Sequence, residues 1–290
     1  MIPATKADRA GIEALLAPHA ERAMFPLSNL AQHGMAVAGV AGHPHCVTMW
    51  VSRRGVQISD VLTVTDSGMV MPFLPSGDYG AAARVLAGRR IAGIIGVREW
   101  ARGLQGALHA TAATSLDQTA LDQTALDQDE PHFALNLTAL QVPDGTGQIV
   151  PLGDAPQDVI TDWMLDYQRT TLNAPAHLAA QRVAETYGHY IAADSHVVLM
   201  QGKTALAMSG FNARLPQIVQ VGGVYTPPAL RGRGHARRVV ALHLAQARAA
   251  GVRRATLFAA NPSAVRAYRA LGFAQIGEWT LCLYEAPTDV

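Results

Sequence analysis

The sequence predicts an α/β protein, with helices on a mixed sheet, built as two halves in tandem. Three observations predict it. The chain has 290 residues, about two domains by length. One order of elements, in which helices precede an antiparallel meander and then helix, strand, helix and strand follow, is readable twice. And Gln217 to Ala250 passes from an apolar strand through a glycine-rich turn into a helical pattern, with Ala236, Val239, Val240, His243, Leu244 and Ala247 on one face. With 49% hydrophobic and 16% charged residues, the chain buries a large core and is not disordered.

In the first half, residues 5–34 read as one or two helices broken at Pro18 and Pro26. Cys46–Val51, Val56–Thr65 and Gly68–Leu74 read as strands with turns at Arg53–Gly55 and Asp66–Gly68. Asp78–Ala87 is a helix, Ile91–Val97 a buried strand, Glu99–Ala110 a helix, and His132–Val142 alternates as a strand does. Leu116-Asp117-Gln118-Thr119-Ala120 recurs at Leu121–Ala125 and begins again at Leu126. A period of five fits neither helix nor strand, so we read it as an expansion in a surface loop or at a helix end. Pro143-Asp144-Gly145-Thr146-Gly147 is a turn cluster and the expected linker, dividing residues 1–145 from 146–290.

His33, His43, His45 and Cys46 are near one another in sequence, but their spacing is not a zinc pattern and Pro44 forces a turn, so no metal is expected. His109 is read as an ordinary helical residue. Cys46 and Cys282 lie far apart and fit a reducing interior. The N-terminus has no basic-then-apolar signal and no apolar run reaches eighteen residues, so a soluble cytoplasmic protein is expected.

In the second half, Ile149–Leu152 is a short strand, followed by helices at about Gln157–Thr171 and Pro175–Tyr190. Proline suits a first turn, where the missing N–H has no partner to lose. His196–Met200 and Thr204–Phe211 form a hairpin with Lys203 in its turn, Gln217–Thr226 adds a strand, and Arg254–Ala260 a parallel one. Glu278–Tyr284 is expected to complete this sheet.

After Gln217–Thr226, Pro227 and Pro228 stop ladder pairing because neither donates an N–H. The loop Arg231-Gly232-Arg233-Gly234-His235-Ala236 then opens the helix. The first N–H groups of a helix have no intrahelical partner, and the dipole favours an anion there. Gly232 and Gly234 let a ligand approach the backbone. Arg231, Arg233, Arg237 and Arg238 add positive potential and suit phosphate oxygens. Net charge is +1, which does not point to nucleic acid or a membrane surface. Residues 1–145 carry ten Lys/Arg against thirteen Asp/Glu and the remainder thirteen against nine, so the second half is the better host for an anion. Nucleotide loops fit worse: Gly232-x-Gly234-x-x-Arg237 lacks a third glycine, and Val197 stands where a P-loop ending in Gly202-Lys203-Thr204 needs its first.

Arg231-x-x-Gly234-x-Ala236 resembles the pyrophosphate motif of the GNAT acyltransferase superfamily. Asn261-Pro262-x-Ala264-x-x-x-Tyr268-x-x-Leu271-Gly272-Phe273 resembles its other acetyl-CoA segment, in the right order and at the right distance. The resemblance covers roughly Ile149 to the C-terminus. It implies a tandem GNAT-like architecture with an acetyl-CoA-binding C-terminal half. The N-terminal half would be degenerate: its loop Leu74-Pro75-Ser76-Gly77-Asp78-Tyr79-Gly80 lacks the arginine and the spaced glycines, and Asp78 repels phosphate.

By that resemblance acetyl-CoA is the co-substrate, held by Val224, Tyr225, Thr226, Arg231, Gly232, Arg233, Gly234, His235, Ala236 and Asn261. The strand ending at Thr226 would splay from its parallel neighbour and pair with the pantetheine arm. A backbone N–H near Val224 would stabilise the thioester oxygen, and Tyr268 would protonate the departing thiolate. The implied reaction is acetyl transfer to an amine of a small molecule or peptide, on a wall carrying Trp163, Tyr167, Tyr187, His189 and Tyr190. Those aromatics are equally readable as helix packing, and Tyr268 as a core residue. Many relatives place a glutamate on or near the splayed strand, and this chain has none between Asp194 and Glu278. Glu185, Asp194, His196, Tyr225 or a water chain are the candidate bases. Two alternatives stand beside the enzyme, a non-catalytic acyl-CoA sensor and a nucleotide-binding protein, and a homodimer stays open.

Overall fold

The structure, a computed structural model, describes residues 1–36, 42–112 and 121–290. It divides into two compact units, Met1–Glu130 with Gly277–Val290, and Pro131–Ile276. The expected cut between 145 and 146 treats the chain as two consecutive pieces. In the structure the segment from Pro131 up to the turn cluster belongs with the second unit, and the segment from Gly277 onward with the first.

The first unit has β1 (Ile2–Pro3), helices Arg9–Leu16 and Met24–His33, then β2 (Val47–Arg54), β3 (Gln57–Thr65) and β4 (Met69–Phe73). Helix Tyr79–Leu86, β5 (Arg90–Val97) and helix Arg98–Ala112 follow. Pro26 does not break a helix as expected: it occupies the first turn of Met24–His33, where no N–H is needed. The strand from Ala274 to Asp289, β12, runs antiparallel to β5, from Trp279↔Val97 to Leu283↔Gly93. It was expected to complete the second sheet. An alternating pattern such as Thr280, Cys282 and Tyr284 shows that one face of a strand is buried, but not whose edge it joins.

Between the units in sequence lie β6 (Thr124–Asn136) and a 3-10 turn, Leu137–Ala139. The strand starts before and ends before the expected His132–Val142. It stops where the Asn136 side chain accepts the Thr138 N–H at 3.0 Å and turns the backbone. The first copy of the five-residue repeat, Leu116–Ala120, lies outside the described residues. Its continuation runs into β6 with Leu126 buried, rather than into a loop.

The second unit adds β7 (Gln148–Pro151), helices Gln157–Thr170 and Ala176–Ala192, β8 (His196–Gln201), β9 (Thr204–Leu215) and β10 (Ile218–Tyr225). Helix His235–Ala249, β11 (Arg254–Phe258) and helix Pro262–Arg269 complete it. The sheet order is β6-β11-β10-β9-β8-β7, and β10–β11 is parallel. Phe133, Leu199, Val221, Val239, Leu244 and Leu257 share one apolar cluster with the helices His235–Ala249 and Pro262–Arg269. Ile160, Trp163, Met164, Val183, Val198 and Met208 form a second, with the helices Gln157–Thr170 and Ala176–Ala192. Each fully buried aliphatic side chain contributes about 1.5–3 kcal/mol, and these two layers hold β10 between them.

Two glycines test the β5 packing. A Cβ on Gly93 would overlap the Cys282 carbonyl oxygen of β12, which is backbone and cannot rotate away. Gly106, on helix Arg98–Ala112, has open space. Gly93→Ala is expected to cost about 1–3 kcal/mol of unfolding free energy, and Gly106→Ala to be neutral or to gain up to about 1 kcal/mol, both read by urea denaturation.

Candidate functional site

The parallel pairing of β10 with β11 runs through Ile218↔Arg254, Val219↔Ala255, Gln220↔Thr256 and Val221↔Leu257, and then stops. Gly222 to Tyr225 have partners on β9 alone, Gly222↔Gly210 and Tyr225↔Met208, with a register shift between them. Gly223 stands inside that shift at φ 59°, left-handed backbone that glycine tolerates. The strands therefore diverge, and one edge of Gly222–Tyr225 faces a gap with its N–H and C=O groups unpaired by the ladder.

The turn that follows is shaped as the sequence led us to expect. Gly232 has φ 77° and Gly234 φ 81°, and Gly234 is the left-handed N-cap of helix His235–Ala249 with no side chain capping it. The N-terminal amides of that helix, at His235 and Ala236, are thus available to an anion. Arg231, Arg233 and both glycines are exposed. Arg231 Nε donates to the Thr226 carbonyl at 3.0 Å. Arg238, expected to serve the loop, is engaged elsewhere: its guanidinium donates to the carbonyls of Pro143, Thr146 and Gly147 at 2.7, 3.0 and 3.3 Å.

On the other side of the gap Asn261 caps helix Pro262–Arg269, its side-chain oxygen accepting the Ala264 N–H at 3.0 Å and Pro262 opening the first turn. Its amide N–H groups are the part left for a ligand. Tyr268 is 7% exposed and packs edge-on to Phe273 at 6.0 Å, within the cluster that also holds Val221 and borders Val224.

The wall formed by helices Gln157–Thr170 and Ala176–Ala192 carries a contact that the sequence did not disclose. The Tyr225 hydroxyl donates to Asp166 Oδ2 at 2.6 Å, and the Trp163 ring lies 5.7 Å from the Tyr225 ring. Burial, and then the bond to Asp166, push the Tyr225 phenol up to about 12. A phenol that donates to a carboxylate and holds its proton so firmly is not a base, which corrects that candidacy. An aspartate one helical turn past an apolar residue carries no sequence signal of its own, since helix surfaces are full of acids.

The other candidate bases fare differently. His196 is 1% exposed, its Nδ1 2.8 Å from Ser195 Oγ and its ring stacked 3.7 Å from Tyr190. Burial, followed by the nearby Arg214, pushes His196 down to about 3, so it is neutral but enclosed. His243 stacks on Phe211 at 3.7 Å and is pushed down to about 3 for the same reasons. Glu185 is exposed and accepts from Gln181 at 2.8 Å, and Asp194 is exposed in a left-handed turn. Trp163 is buried, Tyr167, Tyr187 and Tyr190 are half-buried against the same apolar cluster, and His189 is exposed.

The first unit repeats the divergence and fills it. β4 and β5 pair in parallel at Met69↔Gly93 and Val70↔Ile94 only. Beyond, Pro72 packs toward Gly96 and Phe73 lies 4.6 Å from Trp100. The Asp78 carboxylate accepts the Ala81 N–H at 3.0 Å, so the helix start equivalent to His235 is capped by an acid. His33, His43 and His45 are mutually stacked or tilted, and the Cys46 thiol donates to the His33 carbonyl at 3.0 Å.

Residues 158–273 match the profile of the Acetyltransferase (GNAT) family. Among solved structures, a Drosophila protein aligns at TM-score 0.62 and 12% identity, over 98% of each chain. A tandem GNAT protein from the clavulanic acid biosynthesis pathway aligns at 0.51 and 15% identity, over 99% of each chain. A GCN5-related N-acetyltransferase from Kribbella flavida aligns at 0.50 and 16% identity, over 90% of this chain and 93% of that one. At these identities the likeness is one of fold, and it extends to the tandem architecture. No curated protein matches the sequence.

The two enclosed histidines give a pH test. Both fall from 6.5 in the unfolded chain to about 3 in the folded one. Below pH 6.5 the unfolded chain binds protons that the folded one refuses, so stability falls as pH drops from about 6.5 toward 3, by up to about 1.4 kcal/mol per pH unit for each histidine. His243→Phe is expected to flatten that slope between pH 6 and 4 in urea denaturation; an unchanged slope would contradict it.

Proposed function

Because the chain carries a domain of the GNAT acetyltransferase family at residues 158–273, we propose that it transfers an acetyl group from acetyl-CoA directly to a primary amine of a small molecule or peptide. One observation carries the reading: β10 loses its parallel partner after Val221, beside a helix whose start is a left-handed, uncapped Gly234. A long amide-bearing chain ending in a diphosphate matches both features at once. The unpaired edge of Gly222–Tyr225 offers ladder groups to its two amides. The helix start at Gly234, His235 and Ala236, with Gly232, Arg231 and Arg233, receives the diphosphate.

Acetyl-CoA supplies the activated acetyl group and a thiolate leaving group. In the proposal, Val224, Tyr225 and Thr226 align the arm, and a backbone N–H near Val224 stabilises the charge that develops on the carbonyl oxygen. Asn261 donates to the arm. Tyr268 gives its proton to the departing sulfur. Holding both reactants in one orientation supplies much of the acceleration. We place the enzyme in the cytoplasm: no helix among the described residues is long and apolar enough to cross a membrane, and both cysteines are free. The first unit, with its gap filled and its helix capped by Asp78, is proposed not to bind acetyl-CoA.

A non-catalytic acyl-CoA sensor is the second reading, favoured by the near-complete burial of Tyr268. Single-turnover transfer from radiolabelled acetyl-CoA to a panel of amines separates the two. Gly234→Val is expected to abolish acetyl-CoA binding, because φ 81° is closed to a branched side chain and the loop must refold. Calorimetry reads it, and retained affinity removes the loop assignment. Tyr268→Phe is expected to lower kcat about 10²-fold or more with acetyl-CoA affinity within twofold; equal turnover rejects the proton-donor role and favours the sensor.

A further inference from the structure

The proposed transfer leaves one task without a residue, because an amine must lose a proton before it can attack. We infer that Asp166 takes that proton, and that the acceptor arrives as an alkylammonium cation anchored on its carboxylate. This rests on the acetyltransferase reading of the same cleft.

Asp166 lies on helix Gln157–Thr170 and is half-buried. Its carboxylate accepts from Tyr225 at 2.6 Å, and Tyr225 is the last residue of the stretch of β10 that has no partner on β11. Tyr225 adjoins Val224, where the proposal puts the thioester carbonyl, so the carboxylate lies one residue from the acyl end of the arm. Among the described residues no ion pair includes Asp166. A carboxylate drawn partly out of water, with a neutral phenol as its side-chain partner, is a site that a cation stabilises. The rings of Trp163 and Tyr225 stand beside it, and aromatic faces attract ammonium ions. Arg231 acts on the Tyr225 hydroxyl but forms no pair with Asp166, and in the proposed enzyme it turns to the diphosphate. The other acids of this wall, Asp158, Asp162 and Glu185, are exposed.

The step balances. The ammonium gives one proton to Asp166. The freed nitrogen pair forms the C–N bond at the thioester carbonyl, the C–S bond breaks, and its electron pair leaves on sulfur. The second nitrogen proton, lost as the amide forms, matches the one that sulfur takes up. Asp166 then releases its proton to water. Tyr225 fixes the carboxylate and stays protonated throughout.

Asp166→Asn keeps an oxygen for the Tyr225 hydroxyl and removes the charge. With the full chain saturated in CoA, calorimetry compares benzylamine with benzyl alcohol, hexylamine with hexanol, and putrescine with butanediol. The wild type is expected to prefer the amine at least tenfold in one pair. Asp166→Asn is expected to abolish that preference while binding acetyl-CoA within twofold of wild type. For transfer at pH 7, the variant is expected to lose at least 100-fold in kcat/KM with the preferred alkylamine and under tenfold with aniline, which is already neutral. No preference in any pair, or a preference that survives the substitution, overturns the inference while the cofactor reading stands. Failure of wild type to bind acetyl-CoA removes the cofactor reading itself.

Discussion

The constraint on which the second unit depends is that a backbone strand edge cannot be left unpaired in an apolar interior. β10 satisfies it as far as Val221 with β9 on one side and β11 on the other. From Gly222 it keeps β9 alone, and the register shift around Gly223 lets the strand bend while β11 continues its ladder with β6 to Phe258↔His132. What remains is a slot lined by peptide groups, closed beneath by Val221, Leu257 and Tyr268. Such a slot is costly to leave dry. The amides of the proposed pantetheine arm would supply the missing partners. The two apolar layers keep β10 from sliding back, since Val219 and Val221 pack into one layer and Tyr225 into the other, beside Met208 of β9.

In the first unit the same divergence is filled by the chain's own side chains. Proline at position 72 can end pairing without offering a donor, and Phe73 and Trp100 fill the wedge with rings. Asp78 places a carboxylate on the helix start that in the second unit is left to Gly234. The two helix starts have the same dipole. At Asp78 the chain's own acid meets that dipole, and at Gly234 no side chain does.

Much of this was legible in the sequence because it was local. Pro227-Pro228 followed by Gly232 and Gly234 announced the strand end and the left-handed turn, and both glycines do adopt positive φ. The pair Asn261-Pro262 announced a capped helix for the same reason. What was not legible is long-range. One of the two neighbours of β12, β5, lies nearly two hundred residues away along the chain (the other is β6), and no alternation pattern carries that address. The bond between Tyr225 and Asp166 spans 59 positions and joins an ordinary helix-surface acid to a strand end. Arg238 was misread because a cation next to a glycine loop looks like a phosphate ligand until the turn at 143–147 is seen to use it.

The point where β10 bends leaves little room for an acidic side chain. The His196 ring lies over Gly210, where any Cβ would overlap it, and its Nε2 would be 2.8 Å from a Cβ placed on Gly223. A Cβ on Gly222 would in turn overlap the Asn212 side chain. The bend in β10 thus lies between His196 and Asn212, and at Gly223 the buried His196 ring and the left-handed backbone together favour glycine. A side chain on Gly223 would meet the enclosed His196 ring at a left-handed φ, whereas one on Gly222 meets only the exposed Asn212 side chain, which can rotate away. The bend at Gly223 is thus closed to an acid, and the inferred carboxylate is the one that the helix packed on Tyr225 presents. Enclosed histidine and left-handed glycine are two sides of one packing choice at the point where β10 turns away.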